Sequence, residues 1–103
     1  MLSSHANVPT ASASRYLQQL CKHWSHNMDV TFDAQHGRVI FPKDARGANW
    51  PEDAVFSMAA TADTLICTLE ASVAEQLKGL QGAVERHLDR FAFREAPLSF
   101  DWQ

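Results

Sequence analysis

Met28-Asp29-Val30-Thr31-Phe32-Asp33-Ala34-Gln35-His36-Gly37-Arg38-Val39-Ile40-Phe41 switches the hydrophobic period of the chain from that of a helix to that of a strand. Met28, Val30, Phe32 and Ala34 alternate with Asp29, Thr31 and Asp33, the pattern of a strand with one buried face. Gly37 tolerates positive φ, so His36-Gly37 reads as the loop of a tight hairpin, although Asn or Asp suits the first position better than histidine. With that loop Ala34 faces Val39 and Phe32 faces Phe41, which puts the apolar side chains of both strands on one face. The chain therefore contains a sheet, and flanking elements must cover that face.

Immediately upstream, Arg15-Tyr16-Leu17-Gln18-Gln19-Leu20-Cys21-Lys22-His23-Trp24-Ser25-His26-Asn27 reads as an amphipathic helix. At roughly 100° per residue, Ala13, Leu17, Leu20, Cys21 and Trp24 gather on one side, and Arg15, Gln19, Lys22, His23 and His26 on the other. Thr10, Ser12 or Ser14 can accept the free N–H groups of its start, and Asn27 is the expected left-handed terminator after His26. Further upstream, Leu2, Ser4, Ala6 and Val8 alternate with Ser3, His5 and Asn7 in a strand ending at Pro9.

Downstream, Pro42 to Pro51 has no period and reads as a loop, the segment expected to be most mobile. Ala54, Phe56, Met58 and Ala60 then share a face with Leu65, Cys67 and Leu69 across a turn at Thr61-Ala62-Asp63-Thr64, a second hairpin. Ser72 is the expected N-cap of a second helix, with Glu75 completing a capping box and Lys78 as its ion partner. Val73, Leu77, Leu80, Val84, Leu88 and Phe91 are the apolar stripe of that helix. Leu98, Phe100 and Trp102, alternating with Ser99 and Asp101 after Pro97, read as a closing strand.

These elements predict one α+β domain over residues 1–103. Its architecture is a single mixed, mostly antiparallel sheet with two helices on one face, in the order β-α-β-β-β-β-α-β. Each helix is expected to link parallel neighbours by a right-handed crossover. The other sheet face, carrying Ile40, Val55 and Ile66 among polar residues, is the expected surface of a homodimer.

Composition narrows the function. A chain of 103 residues with 46% hydrophobic residues builds one core without needing staples. Twelve acids against nine Lys and Arg give a charge of -3 and no basic stripe, which disfavours nucleic acid. Cys21 and Cys67 fall at apolar positions and make no disulfide framework, so a cytoplasmic location is expected. Neither a signal peptide nor a membrane-spanning run is visible.

Cys21, His23 and His26 spell C-x-H-x-x-H, a set of metal-ligand types. Cys21 lies roughly 160° around the axis from His23, so one helix cannot aim both at one ion. His23 and His26 alone can share one, and a structural site needs about two further ligands; no metal and no cofactor are expected. The same polar face reads as an anion site, with Arg15, Lys22, His23 and His26 as donors on adjacent turns. A solvated helix face is the more economical reading of those residues, as a small buried hydrophobe is for Cys21.

His87 is an anomaly within the apolar stripe of the second helix. It must find a partner such as a carbonyl or Glu95, or stay neutral. Trp50, between Asn49 and Pro51, is the aromatic residue placed to gate a pocket or meet a partner. Gly-rich phosphate loops, G-x-S-x-G elbows, dinucleotide fingerprints and paired C-x-x-C motifs are all missing.

The blocks RYLQQLCKHWSHN (15–27), HGRV (36–39), MAATADTLICTLEAS (58–72) and HLDRFAFREAPLSFDW (87–102) together resemble a bacterial family known as domain of unknown function 2218. The resemblance spans nearly the whole chain. Asn27 stands where a lysine is expected, and the Pro42 to Pro51 loop is longer than usual. The resemblance implies a small α/β protein without established activity. Similar domains occur beside siderophore-interacting flavoproteins, which points towards iron acquisition but supplies no catalytic residue.

Three classes stay open. The first is an accessory module binding a small anionic ligand or a partner protein through Arg15, Lys22, His23, His26, His87 and Trp50. The second is an enzyme using His23 and His26, or His87, in a small pocket. The third is a structural homodimer. A concave pocket beside the histidines would separate the first two, and whether the Arg15 to His26 face is free or buried in an oligomer would separate the first from the third.

Overall fold

The alternating segments pair into one open sheet because each must bury one face and satisfy its backbone groups with neighbours. The computed structural model describes residues 1–103, the side chain of Arg46 excepted. The strands are β1 (Leu2–Pro9), β2 (Asp29–Phe32), β3 (His36–Phe41), β4 (Ala54–Ala60) and β5 (Thr64–Ala71); the helices are α1 (Ala13–Trp24) and α2 (Ala74–Phe91). The order is β-α-β-β-β-β-α, and the five strands are arranged β1-β5-β4-β3-β2. Every pairing is antiparallel, so the fold is α+β with an open antiparallel sheet rather than a mixed one. No helix among the described residues is long and apolar enough to cross a membrane.

The topology differs from the expected crossovers between parallel neighbours. β2 to β5 form a meander, and β1 closes onto the far side of β5. α1 consequently runs across the sheet from one edge strand to the other. Its buried residues, Ala13, Tyr16, Leu17, Leu20, Cys21 and Trp24, form the centre of the core with Val8, Val39, Phe56, Leu65, Leu69, Val84 and Leu88. Both helices lie on the face carrying Ala6, Phe56 and Leu69.

The second hairpin forms as expected: Met58 faces Cys67 and Phe56 faces Leu69. The first keeps its faces but shifts register. Phe32 faces Gly37 and Val30 faces Val39, with Asp33 to Gln35 as the loop. Two interactions select this pairing. The Asp33 carboxylate accepts the N–H groups of Gln35 and His36 at 2.8 Å each, closing a turn two residues earlier. Gly37 then lies in β3 beneath α1, where a Cβ would meet the Cys21 sulfur at 2.8 Å and Leu17 Cδ2 at 3.3 Å. The glycine serves close packing rather than a turn.

Three ends also differ. α1 stops at Trp24, whose carbonyl accepts the N–H groups of both Asn27 and Met28. Ser72 is not the N-cap of α2; its hydroxyl and N–H donate to Oε1 of the buried Gln76, while the helix starts from the Val73 carbonyl. The segment 98–102 joins no ladder as a closing strand. It is held by Leu98 N–H to Asp89 (2.9 Å) and by Trp102 Nε1–H to Glu85 (3.1 Å), and Gln103 exchanges two backbone bonds with His5.

On the outer sheet face Ile40 and Val55 are directly paired and Ile66 faces Ala59. A polar row of His5, Thr68, Ser57, Arg38 and Thr31 crosses the same face.

Candidate functional site

The loop between β3 and β4 folds back on itself. Trp50 N–H donates to the Lys43 carbonyl (3.0 Å), Lys43 N–H donates to Asp53 (2.8 Å), and a 3-10 turn occupies Ala45–Gly47. The chain leaves that turn through Gly47 at φ 77°, a conformation glycine adopts freely. Gln76 on α2 donates to the Glu52 carbonyl at 3.3 Å and ties the loop to the helix. The loop thus forms a wall opposite the C-terminal half of α1.

Between that wall, α1 and α2 lies a cavity of about 580 Å³. His23, Trp24, Trp50 and His87 all border it, with Phe41 and Met28 adding apolar surface. Gly79 and Ala83 occupy the two turns of α2 preceding His87 on the cavity side. Their small size leaves the space that larger residues of the stripe would fill. The polar groups around it are Arg86, Asn27, Asp44, Glu75 and Gln76.

The two histidines are neighbours, with ring centroids 5.6 Å apart. His87 also packs on Trp24 (5.0 Å) and His23 on Phe91 (5.8 Å). Nδ1 of His87 lies 2.7 Å from the Ala83 carbonyl, which can only accept, so Nδ1 carries the proton. In the neutral ring Nε2 is then a free acceptor. The partner is the expected carbonyl and not Glu95, whose carboxylate is held by Thr10 and Tyr16. Burial, followed by the charges of His87, Arg90 and His26, holds the His23 pKa below its ordinary value and favours the neutral imidazole.

Of the other residues singled out in the sequence, Arg15 borders a separate cleft at the start of α1, while Lys22 and His26 are exposed and border neither cavity. The four polar side chains of α1 therefore do not converge. Among the described residues no three His, Cys, Asp or Glu side chains gather as a metal set. Cys21 and Cys67 are fully buried, and burial pushes their thiols up to about 11 and about 12, which removes nucleophilic character at neutral pH.

Sequence reading missed Arg86, Asp44 and Glu75 as cavity residues. A signal for the cavity itself was present: Gly79, Ala83 and His87 recur every four residues, two small side chains and a polar one on a single helix face.

Comparison with known proteins agrees with this architecture. The NMR structure of PA4090 from Pseudomonas aeruginosa is similar over 100% of this chain and 96% of its own, with 29% identity and a TM-score of 0.78. No curated protein matches the chain. The sequence profile described as "uncharacterized protein conserved in bacteria", domain of unknown function 2218, matches residues 5–103. With that profile covering nearly its whole length, the chain belongs to the bacterial family of domain of unknown function 2218.

Proposed function

We propose that the chain is a binding module whose ligand is a small, flat, largely apolar molecule carrying a hydroxyl or acid group. The observation that supports this is the meeting of Trp24, Trp50, His23 and His87 around one cavity of about 580 Å³, within the size range of small-molecule sites. Aromatic walls favour a flat body, His87 Nε2 is an acceptor for a ligand hydroxyl, and Arg86 is a donor for an acid group.

An enzyme is the weaker reading of the same cavity. General acid–base work by His87 would need a nucleophile or second acid beside the ring, and the ring's close neighbours are Trp24, His23 and the Ala83 carbonyl. A homodimer through the outer sheet face is the weaker partner surface, because the polar row ending in His5 and Thr31 divides its apolar residues. The link to siderophore-iron metabolism comes from the company that similar domains keep and adds no residue to this reading.

Titration with 6-hydroxy-2-naphthoic acid, a flat aromatic probe with a hydroxyl and a carboxylate, tests the proposal. One-to-one binding with quenched tryptophan emission is expected. His87→Phe, which keeps the ring and removes the acceptor, should weaken it about tenfold, the worth of one hydrogen bond near 1.4 kcal/mol. Equal affinity in wild type, His87→Phe and Trp50→Ala would contradict it.

A further inference from the structure

A second cleft, of about 270 Å³, opens at the other end of α1, lined by Arg15, Tyr16, Gln19, Phe91, Phe93 and Arg94. It shares no lining residue with the aromatic cavity. Two guanidinium groups from distant parts of the chain share this small space, and no carboxylate lines it. Two like charges brought together raise each other's energy unless an anion lies between them.

No anion of the protein's own fills that role. Among the described residues the one ion pair within 4.0 Å is His36 with Asp33, at 3.9 Å on the surface. The nearest acid in sequence, Glu95, reaches the edge of the cleft through the Tyr16 hydroxyl, which donates to Oε2, but it pairs with neither arginine; Thr10 also donates its hydroxyl to the carboxylate, 3.0 Å from each oxygen. α1 has no acid in its first turn, so the positive end of its dipole adds to the field around Arg15. In a chain of net charge -3 this is a local excess of positive charge.

One of the two cationic groups is also held in place. The Arg94 guanidinium sits 5.6 Å from the centroid of the Phe93 ring, a cation–π contact that restricts it. Phe93 itself is 71% exposed, a large aromatic surface beside two arginines. Gln19 supplies a neutral donor one turn along the helix from Arg15.

We infer that this cleft binds a phosphate group, gripped between Arg15 and Arg94 with Gln19 as a third donor. Arginine matches the geometry of phosphate oxygens in two parallel hydrogen bonds, which a solvated lysine does not. Phe93 lies where the aromatic part of an aryl phosphate would stack.

The test is a chemical-shift titration of the full chain with inorganic phosphate and, separately, phenyl phosphate, each against sodium chloride of equal ionic strength. Saturable shifts at Arg15, Gln19 and Arg94 are expected, with a dissociation constant of about 1 mM. Arg15→Gln and Arg94→Gln should each weaken binding at least about fivefold, since each removes a charge-assisted pair, and both residues are exposed, so both variants should keep the wild-type melting temperature. Phenyl phosphate should bind more tightly than phosphate, and Phe93→Ala should erase that difference. Shifts that grow linearly with phosphate, that sodium chloride reproduces, or that disappear in only one arginine variant would overturn the site; equal binding of the two phosphates would overturn the part assigned to Phe93.

Discussion

The two cavities at the ends of α1 are divided by the contact between His23 and Phe91, and they are built on opposite principles. The aromatic cavity places charges of both signs, Arg86 with Asp44 and Glu75, around Trp24, Trp50 and two imidazoles. The smaller cleft has two arginines and no acid. Shape and desolvation would select a ligand in the first, whereas charge would select one in the second. One helix therefore borders unlike cavities, because its buried stripe is shared and only the residues flanking that stripe differ at each end.

The largest expected effect comes from breaking the aromatic end. Trp24 is buried against Phe41 (5.0 Å) and Phe56 (6.1 Å) and also borders the cavity. Trp24→Ala should cost about 3–5 kcal/mol in urea unfolding, in line with large-to-small core changes, and should abolish naphthoate binding. Below the unfolding transition it should leave phosphate shifts at Arg15 intact. Loss of both responses in folded protein would show that the two ends are one site.

A smaller effect is expected where the shared stripe meets the sheet. Gly37→Ala should destabilise by about 1–3 kcal/mol through overpacking, because its Cβ would collide with the Cys21 sulfur at 2.8 Å. Removing that sulfur with Cys21→Ala should recover part of the loss, so a double-mutant cycle should give a favourable coupling. Additive losses would mean that the register of the first hairpin is not selected by this contact.

The smallest effect concerns His23, which is exposed enough for solvent to weaken its interactions. Its folded pKa lies below the ordinary value of 6.5, so as pH falls the unfolded chain takes up the proton first. Stability is complete above 6.5 and declines as pH falls through 6.5 towards the folded value. His23→Gln should flatten that part of the profile of melting temperature against pH. A slope unchanged by the substitution would place the titration elsewhere.

How much of this was legible in the sequence depended on how local the cause was. The strand faces, the second hairpin and the inward residues of α1 follow from period alone, and the structure has them where period puts them. The first hairpin's register did not follow, because it depends on the Asp33 carboxylate capturing two N–H groups and on Gly37 lying under Cys21, a contact between elements. β1 beside β5 is likewise a long-range pairing. Closing residues 98–102 alternate like a strand but are drawn onto α2 by Asp89 and Glu85. For the site, His23, His87 and Trp50 stand out as side chains that fit poorly in their settings, yet nothing local says that they meet. Tyr16 was overlooked as a core residue because its hydroxyl partner, Glu95, lies beyond the end of α2.

The most direct measurement is an isotope-filtered NOE experiment on the protein saturated with 6-hydroxy-2-naphthoic acid. The account predicts contacts from the naphthalene protons to the indole of Trp50 and the Hε1 proton of His87, with none to Arg15 or Phe93. Contacts confined to the outer sheet face, around Ile40 and Val55, or to the arginine cleft, would contradict it.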